Sequence, residues 1–132
     1  MGAAKEPELY KCAVGYIGVY DLPLLHQTGD IQRRGSGETY LREWIGTGAE
    51  LVDVSPTRLA DRIKAPVFLA AGGEDQRAPL AHSRAMERAL KAASVPVETL
   101  YYPTEGHGFF DPEHRKTFYS RLLGFLSTHI GQ

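Results

Sequence analysis

Cysteine is almost absent from this sequence and occurs once, at position 12. A single thiol excludes an internal disulfide and a cysteine-based zinc site, and we expect a reducing, cytoplasmic environment. Cys12 lies in an apolar run with no glycine-rich turn beside it and no base nearby in the sequence. We therefore interpret Cys12 as a core residue and not as a nucleophile.

An excess of charge of one sign and long apolar runs are missing as well. The formal net charge is −1, from 15 Lys and Arg against 16 Asp and Glu. No basic stripe is present, so we predict no nucleic-acid partner. No apolar segment approaches the roughly 20 residues of a membrane-spanning helix, so we predict no membrane partner either.

The sequence does contain one long stretch that predicts a fold class. The chain has 132 residues and 42% hydrophobic content, which suffices for one domain with a modest core. Residues 66–75 read Pro-Val-Phe-Leu-Ala-Ala-Gly-Gly-Glu-Asp. The unbroken apolar run from Val67 to Ala71 indicates a strand that is covered on both faces, which is typical of α/β folds.

Strands and helices alternate along the chain. We predict further strands over residues 11–17 and 97–101, and helices over residues 38–45, 55–62, 79–93 and from Pro112 onward. This order favours three parallel strands joined by right-handed crossovers. Apolar stripes predict that helix 38–45 buries Leu41, Trp44 and Ile45, and that Ser55 caps the next helix. We place His82, His114 and His129 at exposed or rim positions and assign them no chemistry.

Two polar residues follow two of the predicted strands directly. Asp75 comes after Gly72-Gly73, and His107 stands between two glycines after the third strand. Ligands bind at the carboxyl ends of the strands in open parallel sheets, so we expect both side chains at that edge. Together they suggest a carboxylate that orients an imidazole base. The alternative is that Asp75 merely caps the following helix.

Three segments resemble the prolyl oligopeptidase family of serine peptidases, nearest to acylaminoacyl peptidases and dipeptidyl aminopeptidase-like members. They are Tyr-Lys-Cys-Ala-Val through Gly-Val-Tyr-Asp-Leu at 10–22, Ala-Pro-Val-Phe-Leu-Ala-Ala-Gly-Gly-Glu-Asp-Gln-Arg-Ala-Pro at 65–79, and Glu-Gly-His-Gly-Phe at 105–109. The resemblance implies the C-terminal portion of an α/β-hydrolase domain and a peptide substrate. It implies Asp75 as triad acid and His107 as triad base, with no cofactor and no metal. Arg77 would lie at the substrate-binding rim, or would be a solvated arginine.

The nucleophile of that family has no counterpart before Asp75. Nothing there resembles Gly-x-Ser-x-Gly, Ser36 follows no strand, and Ser55 begins a helix. We therefore expect residues 1–132 to be a partial hydrolase domain that lacks the N-terminal strands and the nucleophile elbow, and to be inactive alone. The first strand would then have an unpaired edge, so we expect a homodimer or higher oligomer.

Other functional classes are also compatible with this sequence. The 65–79 and 105–109 motifs also occur in dienelactone hydrolases, so a fragment of such a hydrolase or of an esterase is one alternative. A non-catalytic, self-associating assembly module is another. A flavodoxin-type binding module is disfavoured, because the loops at Gly18 and Gly72 lack the glycine spacing that cradles a phosphate.

Overall fold

The sheet has three parallel strands in the order β1-β2-β3. The computed structural model describes residues 1–131. The strands are β1 (Ala13–Tyr16), β2 (Val67–Gly72) and β3 (Val97–Tyr102). Strand β2 lies in the middle and pairs with both neighbours in parallel register. All three carboxyl ends therefore meet at one edge of the sheet, as the α/β prediction requires.

Helical segments connect and flank the strands. Within residues 1–131 the α-helices are α1 (Gly2–Lys5), α2 (Leu22–Leu25), α3 (Gly37–Tyr40), α4 (Glu50–Asp53), α5 (Leu80–Ala92) and α6 (Pro112–Ile130). A π-helical segment, Leu41–Ile45, continues α3, and two 3-10 turns, Pro56–Arg58 and Ala60–Arg62, precede β2. Asp111 caps α6, because its side chain accepts from the backbone N–H groups of Glu113 and His114.

Strand β2 is buried along its whole length and separates two apolar layers. One layer packs Val67 and Leu69 against Met86 and Leu90 of α5. The other packs Phe68 and Ala70 against α6 and the loop before it, through Phe109, Phe118 and Phe125. Successive residues of a strand point to opposite faces, so an unbroken apolar run is what a sheet covered on both sides requires.

Three expectations about the helices before β2 were wrong. Trp44 is not a core residue, because it is 75% exposed, while Leu41 of the same predicted stripe is 2% exposed. Ser55 does not cap an α-helix, and its hydroxyl instead accepts from the Leu22 N–H and donates to the Leu51 carbonyl. The segment that follows Ser55 forms the two 3-10 turns rather than one helix.

His82 lies in the core and not at a rim, contrary to expectation. It is fully buried in the first turns of α5. The Thr28 hydroxyl donates its proton to the Leu24 carbonyl. The oxygen of that hydroxyl lies 3.3 Å from Nε2 of His82 and therefore accepts a hydrogen bond from Nε2–H. Burial lowers the pKa of His82, and the charges of Asp21 and Asp75 oppose that shift only in part. His82 is therefore a neutral core histidine that ties α5 to the segment after β1.

Candidate active site

Asp75 follows β2 directly and is held by the backbone of its own turn. Its Oδ1 atom accepts hydrogen bonds of 2.9 Å from the backbone N–H groups of both Arg77 and Ala78. The carboxylate has no exposed surface. These two bonds fix the orientation of the side chain relative to its own turn. They close the turn before α5, whose N-cap is Pro79, so Asp75 does not cap that helix.

The structure brings His107 against this carboxylate. Its Nδ1 atom lies 3.1 Å from Oδ1 and 3.0 Å from Oδ2 of Asp75. Because a carboxylate only accepts, this geometry puts a proton on Nδ1, and in the neutral imidazole Nε2 then carries the free lone pair. The side chain of His107 is 42% exposed, and no group within residues 1–131 hydrogen-bonds to Nε2. A buried carboxylate thus orients an imidazole that is partly exposed.

Two glycines at the end of β2 allow this approach. A Cβ atom at Gly72 would overlap the carbonyl oxygens of Glu105 and Gly106. A Cβ atom at Gly73 would overlap the backbone of Pro103 in the same way. The loop after β3 therefore lies directly on the backbone of the turn after β2, at a distance that only glycine permits. This close contact is what sets the separation of Asp75 and His107.

Glu105 is a site residue that the sequence interpretation missed. Its carboxylate is almost fully buried and accepts from the backbone N–H groups of Phe110 at 2.8 Å and Asp111 at 3.0 Å. Nδ1 of His114 lies 2.7 Å from the same carboxylate. The Phe110 N–H, and then the bonds from His114 and Asp111, lower the pKa of Glu105, and desolvation opposes them. Glu105 is therefore ionised under ordinary conditions.

Tyr16 supports the same loop from the opposite side. It ends β1, and its hydroxyl oxygen accepts a 2.8 Å hydrogen bond from the backbone N–H of Phe109. Burial is the main cause that raises the pKa of Tyr16. No local sequence pattern predicts this contact, because Tyr16 and Phe109 are 93 residues apart along the chain.

Comparison with known proteins decides the family. The sequence profile of the Prolyl oligopeptidase family matches residues 1–132. The chain belongs to the prolyl oligopeptidase family. The suspected family resemblance is thereby confirmed.

Individual relatives agree with this family assignment. Dipeptidyl aminopeptidase BIII of Pseudoxanthomonas mexicana is 30% identical over 98% of this chain and 20% of that protein. The acylamino-acid-releasing enzyme of Homo sapiens is 36% identical over 66% of this chain and 12% of that protein. This chain therefore spans a fifth or less of the length of these relatives.

Solved structures agree on the fold. The acylaminoacyl peptidase of Pyrococcus horikoshii superposes with a TM-score of 0.86 at 24% identity, over 98% of this chain and 21% of that one. A puromycin-hydrolyzing peptidase of Mycobacterium tuberculosis gives 0.84 at 26% identity, over 98% of this chain and 20% of that one. The three parallel strands and their helices match a C-terminal portion of the α/β-hydrolase domain, as predicted.

A pocket opens beside the Asp75 turn in this member of the family. It has a volume of about 320 Å³ and is lined by Leu25, Asp30, Ile31, Arg34, Tyr40, Leu41, Ile45 and Arg77. Asp30 forms ion pairs of 3.8 Å with both Arg34 and Arg77. The backbone of Asp30 also donates to the Gln76 carbonyl, which ties this wall to the turn that holds Asp75. The lining is mostly apolar, and its charged groups are the Asp30 carboxylate and the two guanidinium groups that pair with it.

Other kinds of site are not seen in the part of the chain that the structure describes. Within residues 1–131, no three His, Cys, Asp or Glu side chains are grouped as metal ligands. Over the same residues, no helix combines the length and apolar character that crossing a lipid bilayer demands.

Proposed function

We propose that this chain supplies the acid and the base of a Ser-Asp-His triad for peptide-bond hydrolysis. The hydrogen bond from His107 Nδ1 to buried Asp75 carries the proposal. In such a triad the carboxylate fixes the imidazole tautomer and stabilises the imidazolium. Nε2 then takes the proton of the serine hydroxyl as that oxygen attacks the carbonyl carbon, and later gives it to the leaving amine. The exposed side of His107 suits this proton transfer.

Within residues 1–131, none of the six serines hydrogen-bonds to His107, whose side-chain hydrogen bonds are those to Asp75. Ser55 is buried and bonded to Leu22 and Leu51, and Ser83 is buried within α5. A base without an adjacent hydroxyl and without N–H donors for the oxyanion gives no acyl transfer. We therefore propose that this chain does not hydrolyse peptides by itself.

Labelling with a fluorophosphonate probe tests that proposal. We expect no covalent adduct on the 132-residue chain, because the probe requires an activated serine. A serine hydrolase in the same tube serves as the positive control, and intact mass spectrometry is the readout. An adduct on any serine of this chain would contradict the proposal.

Arg77 and the pocket beside it support a role in substrate binding. Arg77 is two residues from the proposed acid and lines the pocket, and its side chain is 67% exposed. Apolar walls suit an apolar side chain of a peptide, and a guanidinium at the margin suits a carbonyl or carboxylate oxygen. We propose that this pocket receives one side chain of the substrate, with Arg77 at its rim.

We also propose that the chain self-associates through β1. Within residues 1–131, β1 pairs with β2 on one edge and with no strand on the other. Val14 is 41% exposed and Tyr16 is 36% exposed, so apolar surface accompanies the open backbone. An unpaired edge of this kind is a template for another strand. Pairing between two copies would cover it.

Light scattering with a proline variant tests the association. Backbone N–H groups alternate in direction along a strand, and those of Ala13 and Ile17 point toward the chain of β2, so the Val14 N–H points away from it. Val14→Pro therefore removes a donor from the open edge of β1 and leaves the hydrogen bonds between β1 and β2 in place. We expect a dimer or larger species for the natural chain and a monomer for Val14→Pro. A monodisperse monomer for the natural chain would contradict the proposal.

A further inference from the structure

The side chain of Glu105 joins the two ends of the loop that carries His107. Glu105 begins it, and the carboxylate of Glu105 binds the backbone N–H groups of Phe110 and Asp111 at its far end. His107 therefore sits near the middle of a short segment whose two ends are held together. A carboxylate that accepts several backbone bonds while buried is a strong restraint.

Glu105 also joins the loop to the rest of the site. Its backbone carbonyl accepts a 2.9 Å hydrogen bond from the N–H of Glu74, the residue before Asp75. Its side chain reaches His114 in the first turn of α6. One residue thus contacts the Asp75 turn, the end of its own loop and the final helix.

His114 is itself held in a fixed orientation. Its ring stacks on Tyr102, with centroids 3.8 Å apart and planes 17° apart. In that position Nδ1 lies 2.7 Å from the Glu105 carboxylate. The imidazole therefore donates to Glu105 from a preset position, which sets where the carboxylate can lie.

The ring of His107 has little support of its own. Both of its sequence neighbours are glycines, and Gly108 adopts φ of +139°. In residues 1–131, the hydrogen bonds of its side chain are those to Asp75. Without restraint from elsewhere, a glycine-flanked loop would sample many backbone conformations and weaken that bond.

We propose that Glu105, oriented by His114, is a positioning residue that holds the His107 ring against Asp75. The inference rests on the proposed function, because it assigns Glu105 a role through His107. It predicts that the Nδ1–H tautomer of His107 depends on Glu105 even while the fold is intact.

The test compares variants of the full chain by NMR of the His107 imidazole. The downfield Nδ1–H proton and the ¹⁵N shifts of the ring report the hydrogen bond to Asp75 directly. Glu105→Ala is the main variant. Glu113→Gln removes an exposed carboxylate nearby and is the matched control. Val95→Ala weakens the core on the α5 side of the sheet and controls for general destabilisation.

We expect the downfield resonance to be absent from Glu105→Ala at a temperature where circular dichroism shows that this variant is folded. We expect both control variants to retain the resonance. Retention in Glu105→Ala at natural intensity would overturn the inference. If Glu105→Ala does not fold, His114→Phe keeps a ring on Tyr102 but removes the donor, and it must weaken the resonance for the inference to stand. Absence of the resonance from the natural chain would instead overturn the proposed acid–base pair.

Discussion

Replacing Gly72 with alanine is expected to lower the free energy of unfolding by about 3 kcal/mol, at the upper end of the usual cost of overpacking. The added Cβ would overlap two backbone oxygens, those of Glu105 and Gly106, rather than a flexible side chain. The loop after β3 must then move away from β2, and His107 moves with it. Urea denaturation followed by circular dichroism measures the stability, and the His107 resonances report the displaced loop.

Gly106→Ala is the matched control for this prediction. Gly106 lies in the same loop, but a Cβ atom there would meet no atom within 4 Å. We expect it to change stability by no more than about 0.5 kcal/mol. Equal stability of Gly72→Ala and the natural chain would show that the loop does not rest on the end of β2, and would remove the basis for the Asp75–His107 geometry.

Two substitutions at Asp75 are expected to separate its structural role from its chemical one. Asp75→Ala leaves the N–H groups of Arg77 and Ala78 without their acceptor. Ala78 is 3% exposed, so at least one of these donors is then buried and unsatisfied. We expect a loss of about 3 kcal/mol, since the acceptor is charged.

Asp75→Asn should behave differently, because the amide oxygen still accepts from the turn. We expect a cost of only about 1 kcal/mol. The amide nitrogen, however, is a donor. When it faces His107, Nδ1 must accept the hydrogen bond, so the imidazole proton moves to Nε2. Nε2 then has no lone pair for a serine proton. Thermal unfolding and imidazole ¹⁵N shifts measure the two effects.

Asp61→Asn is the control for both Asp75 variants, since Asp61 is exposed and its loss changes the charge equally. We expect it to alter neither stability nor the His107 tautomer. If Asp75→Ala were as stable as Asp61→Asn, the carboxylate would not be holding its turn.

The parts of the fold predicted from sequence are those whose signal is local. The apolar run of β2 predicts a strand covered on both faces, because five consecutive apolar residues leave neither face of the strand polar enough for solvent. The periodicity of 79–93 and the stripe after Pro112 likewise predict α5 and α6, which the structure places at Leu80–Ala92 and Pro112–Ile130. Strand β1 was predicted over 11–17 and is shorter, at Ala13–Tyr16.

The expectations that failed depended on distant contacts. An apolar stripe shows that one face of a helix is apolar, but not that another element covers it, and Trp44 lies exposed against Tyr40. His82 is buried because the segment after β1, including Thr28, folds over α5. Neither arrangement has a signature within a few residues of the position concerned.

The candidate site also contains residues that the sequence predicts and residues that it does not. The positions of Asp75 and His107 after two parallel strands were enough to predict that their side chains lie close together, because the carboxyl ends of such strands meet at one edge of the sheet. The support given by Glu105 and Tyr16 was not predictable from spacing. Glu105 binds N–H groups five and six residues later, and Tyr16 binds a loop 93 residues away along the chain.

The most direct test of this account is the tautomer of His107 in the natural chain at mildly alkaline pH. Neutral histidine in water carries its proton mainly on Nε2, so an Nδ1–H form requires a specific acceptor. Long-range ¹H–¹⁵N NMR should show His107 protonated at Nδ1 with Nε2 free, and Asp75→Asn should reverse this. Protonation of His107 at Nε2 in the natural chain would contradict the account.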